Sequence, residues 1–240
     1  MEQFTPPDQE QRRRAIGRTT RLQKTLQRAF DPGGHFDPIP MPGPSDWLAN
    51  HPEPGQTFEQ YRHERVNHPD KRRRKFYLQP LGRFPSATSP NVNQLSRFAE
   101  AFFAVPVELR PTVALASLPI TSRTHPSTRQ QQLLTLDILA WLRKRLPRDA
   151  YCILGITMAD LYPADDWNFV FGQASLRQRV GVYSFVRYDP GFYGGARPAG
   201  ARQLILLRSC KVLAHETGHM FGLRHCVYFR CLMNGANHLG

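Results

Sequence analysis

Apolar residues in this chain recur with two different periods, and the alternation between them outlines a layered domain. The run Phe76-Tyr77-Leu78-Gln79-Pro80-Leu81 is compact and β-prone and predicts a first strand. Leu95, Phe98, Ala101 and Phe102 then fall at helical spacing and predict a helix over 91–104. Val113 to Leu118 reads as a second strand. Residues 127–146, closed by Pro147, read as a helix whose inward stripe is Leu134, Ile138, Trp141, Leu142 and Leu146. A third, buried strand is expected from Ala150 to Ala159, followed by strands at Phe169-Val170-Phe171 and at Val180 to Val186. After a Gly/Pro-rich loop, a long helix is expected over 201–221. This β-α-β-α-β order argues for an α/β (α+β) layered fold.

The first 70 residues have a different texture. Residues 9–30 place Arg12, Arg13, Arg14, Arg18, Arg21, Lys24 and Arg28 around Ile16, Leu22, Leu26 and Phe30, the pattern of a basic amphipathic helix with a thin apolar face. Residues 31–57 hold seven prolines and read as an extended connector. Two regions follow: a basic, Pro-rich extension over 1–70 and the layered domain over 71–240.

Charge sharpens this only slightly. The net charge of +13 is spread as +4 over residues 1–80, +5 over 81–150 and +4 over 151–240. The one dense cluster, Lys71-Arg72-Arg73-Arg74-Lys75, reads as a solvated linker, with nuclear targeting or phosphate binding as the sharper alternative. No aromatic interleaving marks a nucleic-acid groove, so nucleic acid is not an expected partner. No stretch approaches the roughly 20 apolar residues of a membrane span, and the N-terminus lacks a signal-peptide pattern. Four cysteines fit a reducing compartment, and a monomer in the cytoplasm or nucleus, not secreted, is the expectation.

The chemistry lies near the end, in His215-Glu216-Thr217-Gly218-His219-Met220-Phe221-Gly222-Leu223-Arg224-His225. Two histidines four residues apart share one helix face and can grip a single metal ion. Glu216, next to the first, can take a proton from water on the metal. Gly222 can adopt the positive φ that ends a helix and turns the chain back, offering His225 as a third ligand. Three ligands leave one coordination position open, the arrangement of a catalytic zinc rather than a structural one.

This stretch resembles the signature of the metzincin zinc peptidases, and its continuation narrows the resemblance. His225 runs into Cys226, then four residues, then Cys231-Leu232-Met233, which is similar to the archaemetzincin (archaelysin) family, eukaryotic branch. Gly155-Ile156-Thr157, Asp160-Leu161-Tyr162-Pro163 and Trp167 to Ala174 support it, as do Trp47-Leu48 and His51-Pro52 upstream. The resemblance implies a twisted mixed sheet with the zinc helix packed beneath it and zinc-dependent hydrolysis of peptides or proteins, with aminopeptidase character on short substrates. It places Met233 in a turn under the metal and makes the Gly172-Gln173-Ala174 segment a peptide-binding sheet edge. It also implies a second, structural zinc held by four cysteines. Cys226 and Cys231 would be half of that site; Cys152 and Cys210 read as packing residues. The family's later C-x-x-C pair has no counterpart before Gly240, so a C-terminally truncated product with an incomplete structural site is expected. The rival reading is a truncated, catalytically impaired isoform acting as a partner-binding protein. Asp160, Asp165 and Asp166 could receive a substrate amino group but read as caps or turn residues.

Overall fold

The computed structural model describes residues 3–31 and 36–236. Pro32, counted in the proline-rich connector, lies outside them. Among the described residues, those before Asn67 and those after Phe221 form one compact unit, and Asn67–Phe221 forms another.

In the first unit the single helix expected over 9–30 is two. α1 (Gln9–Ile16) opens with a capping box between Asp8 and Gln11, and α2 (Lys24–Phe30) follows. Gly17, at φ +79°, breaks the helix between them. The connector also carries α3 (Trp47–Asn50), and Thr57 and Gln60 cap α4 (Phe58–His63). Phe4, Leu48 and Val227 form this unit's small apolar core, with Ile39, Trp47 and Tyr228 against it. Residues 222–236 are therefore built into the same unit as the N-terminal segment.

In the second unit the expected first and third strands are present, and others differ. β1 (Lys75–Leu81) is followed by α5 (Val92–Phe103), whose first turn is capped by Asn91. β2 (Val107–Leu109) then takes one edge of β1 in parallel. Val113 to Leu118 is not the expected strand: β2 pairs with Phe76–Leu78, Val113 makes a single bridge to Leu81 at the end of β1, and Leu115–Ser117 closes into a 3-10 turn.

The expected helix over 127–146 is likewise cut short. β3 (Ser122–Thr124) and β4 (Gln131–Leu134) form a hairpin through a turn with Arg129 at φ +56°, and α6 (Thr135–Arg143) starts only afterwards. The cause is tertiary: Gln132 is completely buried and donates to Asp160, which no helical pattern announces. Ile138, Trp141 and Leu142 of the predicted stripe are buried as expected.

β5 (Ala150–Thr157) is buried at every position, the continuous apolar run of a central parallel strand. β6 (Asp160–Tyr162) pairs with β4. The strand expected at 169–171 begins later, as β7 (Gly172–Ser175), with Val170 only bridging Leu161. β8 (Val180–Ser184) and α7 (Ala201–Met220) complete the unit.

The main sheet has the order β2-β1-β5-β8-β7, parallel except for β7, with a second sheet β3-β4-β6. Alternation splits the strands between two cores. Phe76, Leu78, Cys152 and Leu154 join Leu95 of α5 and Leu213 and Met220 of α7 on one face. Tyr77, Leu81 and Ile153 join Ile138 and Leu142 of α6 on the other. The expected mixed sheet with the zinc-motif helix on one face is thus present. No described helix is long and apolar enough to cross a membrane.

Candidate zinc site

α7 carries the motif. Leu213 and Met220 anchor its last turns in the core beside half-buried Leu206 and Phe221. The Tyr151 hydroxyl donates to the Met220 carbonyl at 2.7 Å, tying the helix end to β5. With that side buried, His215 and His219 share the opposite stripe, their rings 4.7 Å apart at 89° and their Nε2 atoms 3.1 Å apart. Two nitrogens each about 2.0–2.1 Å from one tetrahedral zinc would be about 3.3 Å apart, so the pair fits a shared ion. His225, the third histidine of the eleven-residue stretch, follows His219 by six residues and lies past the helix end, in the first unit.

Glu216 is half-buried, and burial pushes its carboxyl up to about 7. Tyr183 and Tyr188, both buried, stand close enough that its charge adds to burial in raising their phenols. These two tyrosines were not legible as site residues, since in the sequence they are apolar-run members of a strand and its exit.

Gly222 does adopt the positive φ, at +85°. A Cβ there would lie 2.2 Å from Cγ1 of Val66. Gly222→Ala is therefore expected to lose at least about 1–2 kcal/mol from the backbone conformation, with the Val66 overlap added to it. A lowered urea midpoint checks this, and an unchanged one would contradict it.

The remaining predicted positions are placed as follows. Cys226 donates its N–H to the Met233 carbonyl at 2.8 Å, and Asn234 donates its amide to the Cys226 and Phe229 carbonyls at 2.8 Å each. Asn234 N–H closes a turn onto the Cys231 carbonyl, with Met233 inside it. Neither cysteine is in a disulfide. A hydrogen bond from the Cys231 thiol, joined by backbone N–H groups, holds the Cys226 thiol below its usual range despite burial. Cys152 is fully buried and Cys210 half-buried, both packing residues, with burial raising each thiol.

Gly172, Gln173 and Ala174 lie in β7, the edge strand antiparallel to β8. Gly172 is required by close approach, because a Cβ would sit 2.6 Å from Cδ1 of Tyr183. The Gln173 side chain accepts a hydrogen bond from Thr135, which leaves the β7 backbone as the group this edge presents. Asp160 is neither a cap nor a substrate anchor. It is buried in an ion pair with Arg187, whose guanidinium nitrogens reach it at 2.7 Å.

A mixed sheet carrying a His-Glu-x-x-His helix on one face defines a metzincin-like zinc-peptidase fold. Comparison with known proteins agrees. The model of peptidase family M54 matches residues 131–240. Archaemetzincin-2 of Macaca fascicularis is 39% identical over 247 aligned positions, covering 90% of this chain and 68% of that protein. The Homo sapiens archaemetzincin-2 is 38% identical over 90% of this chain and 68% of its own length. A solved zinc-dependent peptidase from Methanocorpusculum labreanum is 26% identical with a TM-score of 0.51, covering 68% of this chain and 90% of that one. The chain belongs to the archaemetzincin family of zinc-dependent peptidases.

Sequence reasoning also missed Glu53. It accepts hydrogen bonds from Nδ1 of His225 at 2.9 and 3.0 Å and from the Trp47 indole N–H. Its one signal was a carboxylate set between Pro52 and Pro54, beside the His51-Pro52 pair that resembles eukaryotic members.

Proposed function

We propose that this chain hydrolyses peptide bonds with one catalytic zinc held by His215, His219 and His225, and with Glu216 as general base. The observation that carries the reading is the 3.1 Å approach of the two Nε2 atoms on α7, one turn apart, with a half-buried carboxylate between them in sequence. A zinc bound there supplies Lewis acidity, bringing the pKa of a water toward about 7 and polarising the scissile carbonyl. Glu216 accepts the proton of the attacking water and returns it to the departing amine. The backbone of Gly172 to Ala174 receives the substrate as an added strand at the β7 edge, and Met233 forms an apolar floor. Family resemblance favours short peptides with a free amino terminus. Cys226 and Cys231 supply two thiolates toward a structural zinc; among the described residues no third His, Cys, Asp or Glu ligand joins them. The protein acts as a monomer in the cytoplasm or nucleus.

Zinc per chain, measured by mass spectrometry after equilibration with zinc, tests the reading together with amine release from peptides with free and blocked amino termini. One catalytic zinc, lost in His219→Ala, is expected, with turnover of the free-terminus peptide. A chain that takes up no zinc would overturn the proposal in favour of the partner-binding alternative.

A further inference from the structure

Glu53 belongs to no catalytic motif, yet both of its carboxylate oxygens are directed at His225. Oε1 and Oε2 lie 2.9 and 3.0 Å from Nδ1, and Oε1 also accepts from the Trp47 indole N–H. Both partners are largely shielded, His225 at 20% and Glu53 at 26% side-chain exposure. The Trp47 ring meets His225 edge to face at 5.5 Å and 77°. Gly235 lets the chain pass against that indole, since a Cβ there would lie 2.4 Å from its Cδ1. A carboxylate can only accept, so Nδ1 carries a proton, and in the neutral ring, the form that binds a metal, Nε2 holds the lone pair. The ring is thereby fixed both in tautomer and in orientation.

From this we infer that Glu53 is a positioning residue for the metal site, holding His225 so that Nε2 is its ligand atom, with Trp47 holding Glu53. The inference rests on the assignment of His225 as a zinc ligand. Its consequence is that the proline-rich N-terminal segment takes part in holding the third histidine of the motif. Carboxylates that receive the far N–H of a metal-bound histidine commonly contribute 10- to 100-fold in metal affinity. A purely structural role for Glu53 would instead resemble that of Glu64, which pairs with Arg224 at 2.7 Å and pins the same stretch of chain from the next residue.

Zinc dissociation constants from chelator competition on the full chain, with the visible spectrum of the cobalt-substituted protein as a second readout, separate the two roles. Glu53→Ala is expected to weaken zinc about 10- to 100-fold and to shift the cobalt bands. Glu53→Gln, which keeps a neutral acceptor, should fall between it and the parent, and Glu64→Gln should match the parent. Parent-like affinity and spectrum in both Glu53 variants would overturn the inference, as would equal losses in Glu53→Gln and Glu64→Gln. If Glu53→Ala does not fold, the comparison of the two glutamine variants decides. Unchanged affinity in His225→Ala would instead overturn the assignment of that histidine, a result distinct from either.

Discussion

Glu216→Gln is expected to leave the zinc content unchanged and to cut peptide hydrolysis by about 10²- to 10⁴-fold. The separation of the two readouts is what makes the substitution informative. Glutamine has nearly the shape of glutamate, so the half-buried position between the two histidines and beside Tyr183 and Tyr188 stays filled. What disappears is the group that can take and return a proton. The carboxyl is pushed up to about 7 by burial in the metal-free protein; a nearby divalent cation favours the carboxylate and opposes that shift. The amide can do neither half of the exchange. Single-turnover rates on a peptide with a free amino terminus, beside zinc per chain, give the result directly. Turnover equal to the parent with zinc retained would remove Glu216 from the mechanism. Loss of zinc together with turnover would show that the position supports the ion rather than the proton transfer.

The motif helix was the most legible part of the molecule, and the reason is local. The span expected for it, 201–221, and the observed Ala201–Met220 nearly coincide, because helix, ligand spacing and terminal glycine are all written in consecutive residues. The buried β5 was legible for a similar reason: a central parallel strand needs apolar residues on both faces. Where the reading failed, a distant partner had decided the structure. Gln132 occupies a buried strand because Asp160 and the Asn168 carbonyl receive its amide at 2.9 and 2.8 Å. Val113 to Leu118 is not a strand: Val107–Leu109 pairs with β1 along Phe76–Leu78, and Val113 makes a single bridge to Leu81. Glu53 is the extreme case, separated from His225 by 172 residues of sequence and recognisable only once the hydrogen bond is seen. Local pattern therefore recovers the candidate ligands but not the distant carboxylate hydrogen-bonded to one of them.

Asp160→Ala is expected to cost about 3–5 kcal/mol of stability, the loss associated with removing one partner from a buried ion pair. Asp160 and Arg187 are 1% and 4% exposed, and the guanidinium donates from Nε to Oδ1 and from Nη2 to Oδ2, both at 2.7 Å. The rest of the guanidinium is enclosed too. Its Nη1 donates to the Tyr193 hydroxyl at 2.7 Å, and its carbon lies 3.6 Å from the Phe169 ring centroid and 4.9 Å from that of Phe192. Alanine would strip this buried cation of its carboxylate, leaving it the Tyr193 hydroxyl, and leave the Gln132 amide only the Asn168 carbonyl. Against the roughly 5–15 kcal/mol that holds a typical domain together, such a loss is large. Asp160→Asn keeps one acceptor oxygen, for Arg187 Nη2 and Gln132, while turning its own NH2 toward Arg187 Nε, and should lose less than alanine. The double variant Asp160→Ala with Arg187→Met removes the stranded charge along with its partner, and should recover part of the loss. Urea midpoints of the zinc-loaded chain for the parent, both single variants at Asp160 and the double variant measure all of this. A change below about 1 kcal/mol in Asp160→Ala, the scale of an exposed pair, would mean that the arginine can find solvent and that the pair is not a structural keystone. The expected result places the pair among the fold's supports, at the turn where β8 leads toward the zinc helix, and not among the groups that meet substrate.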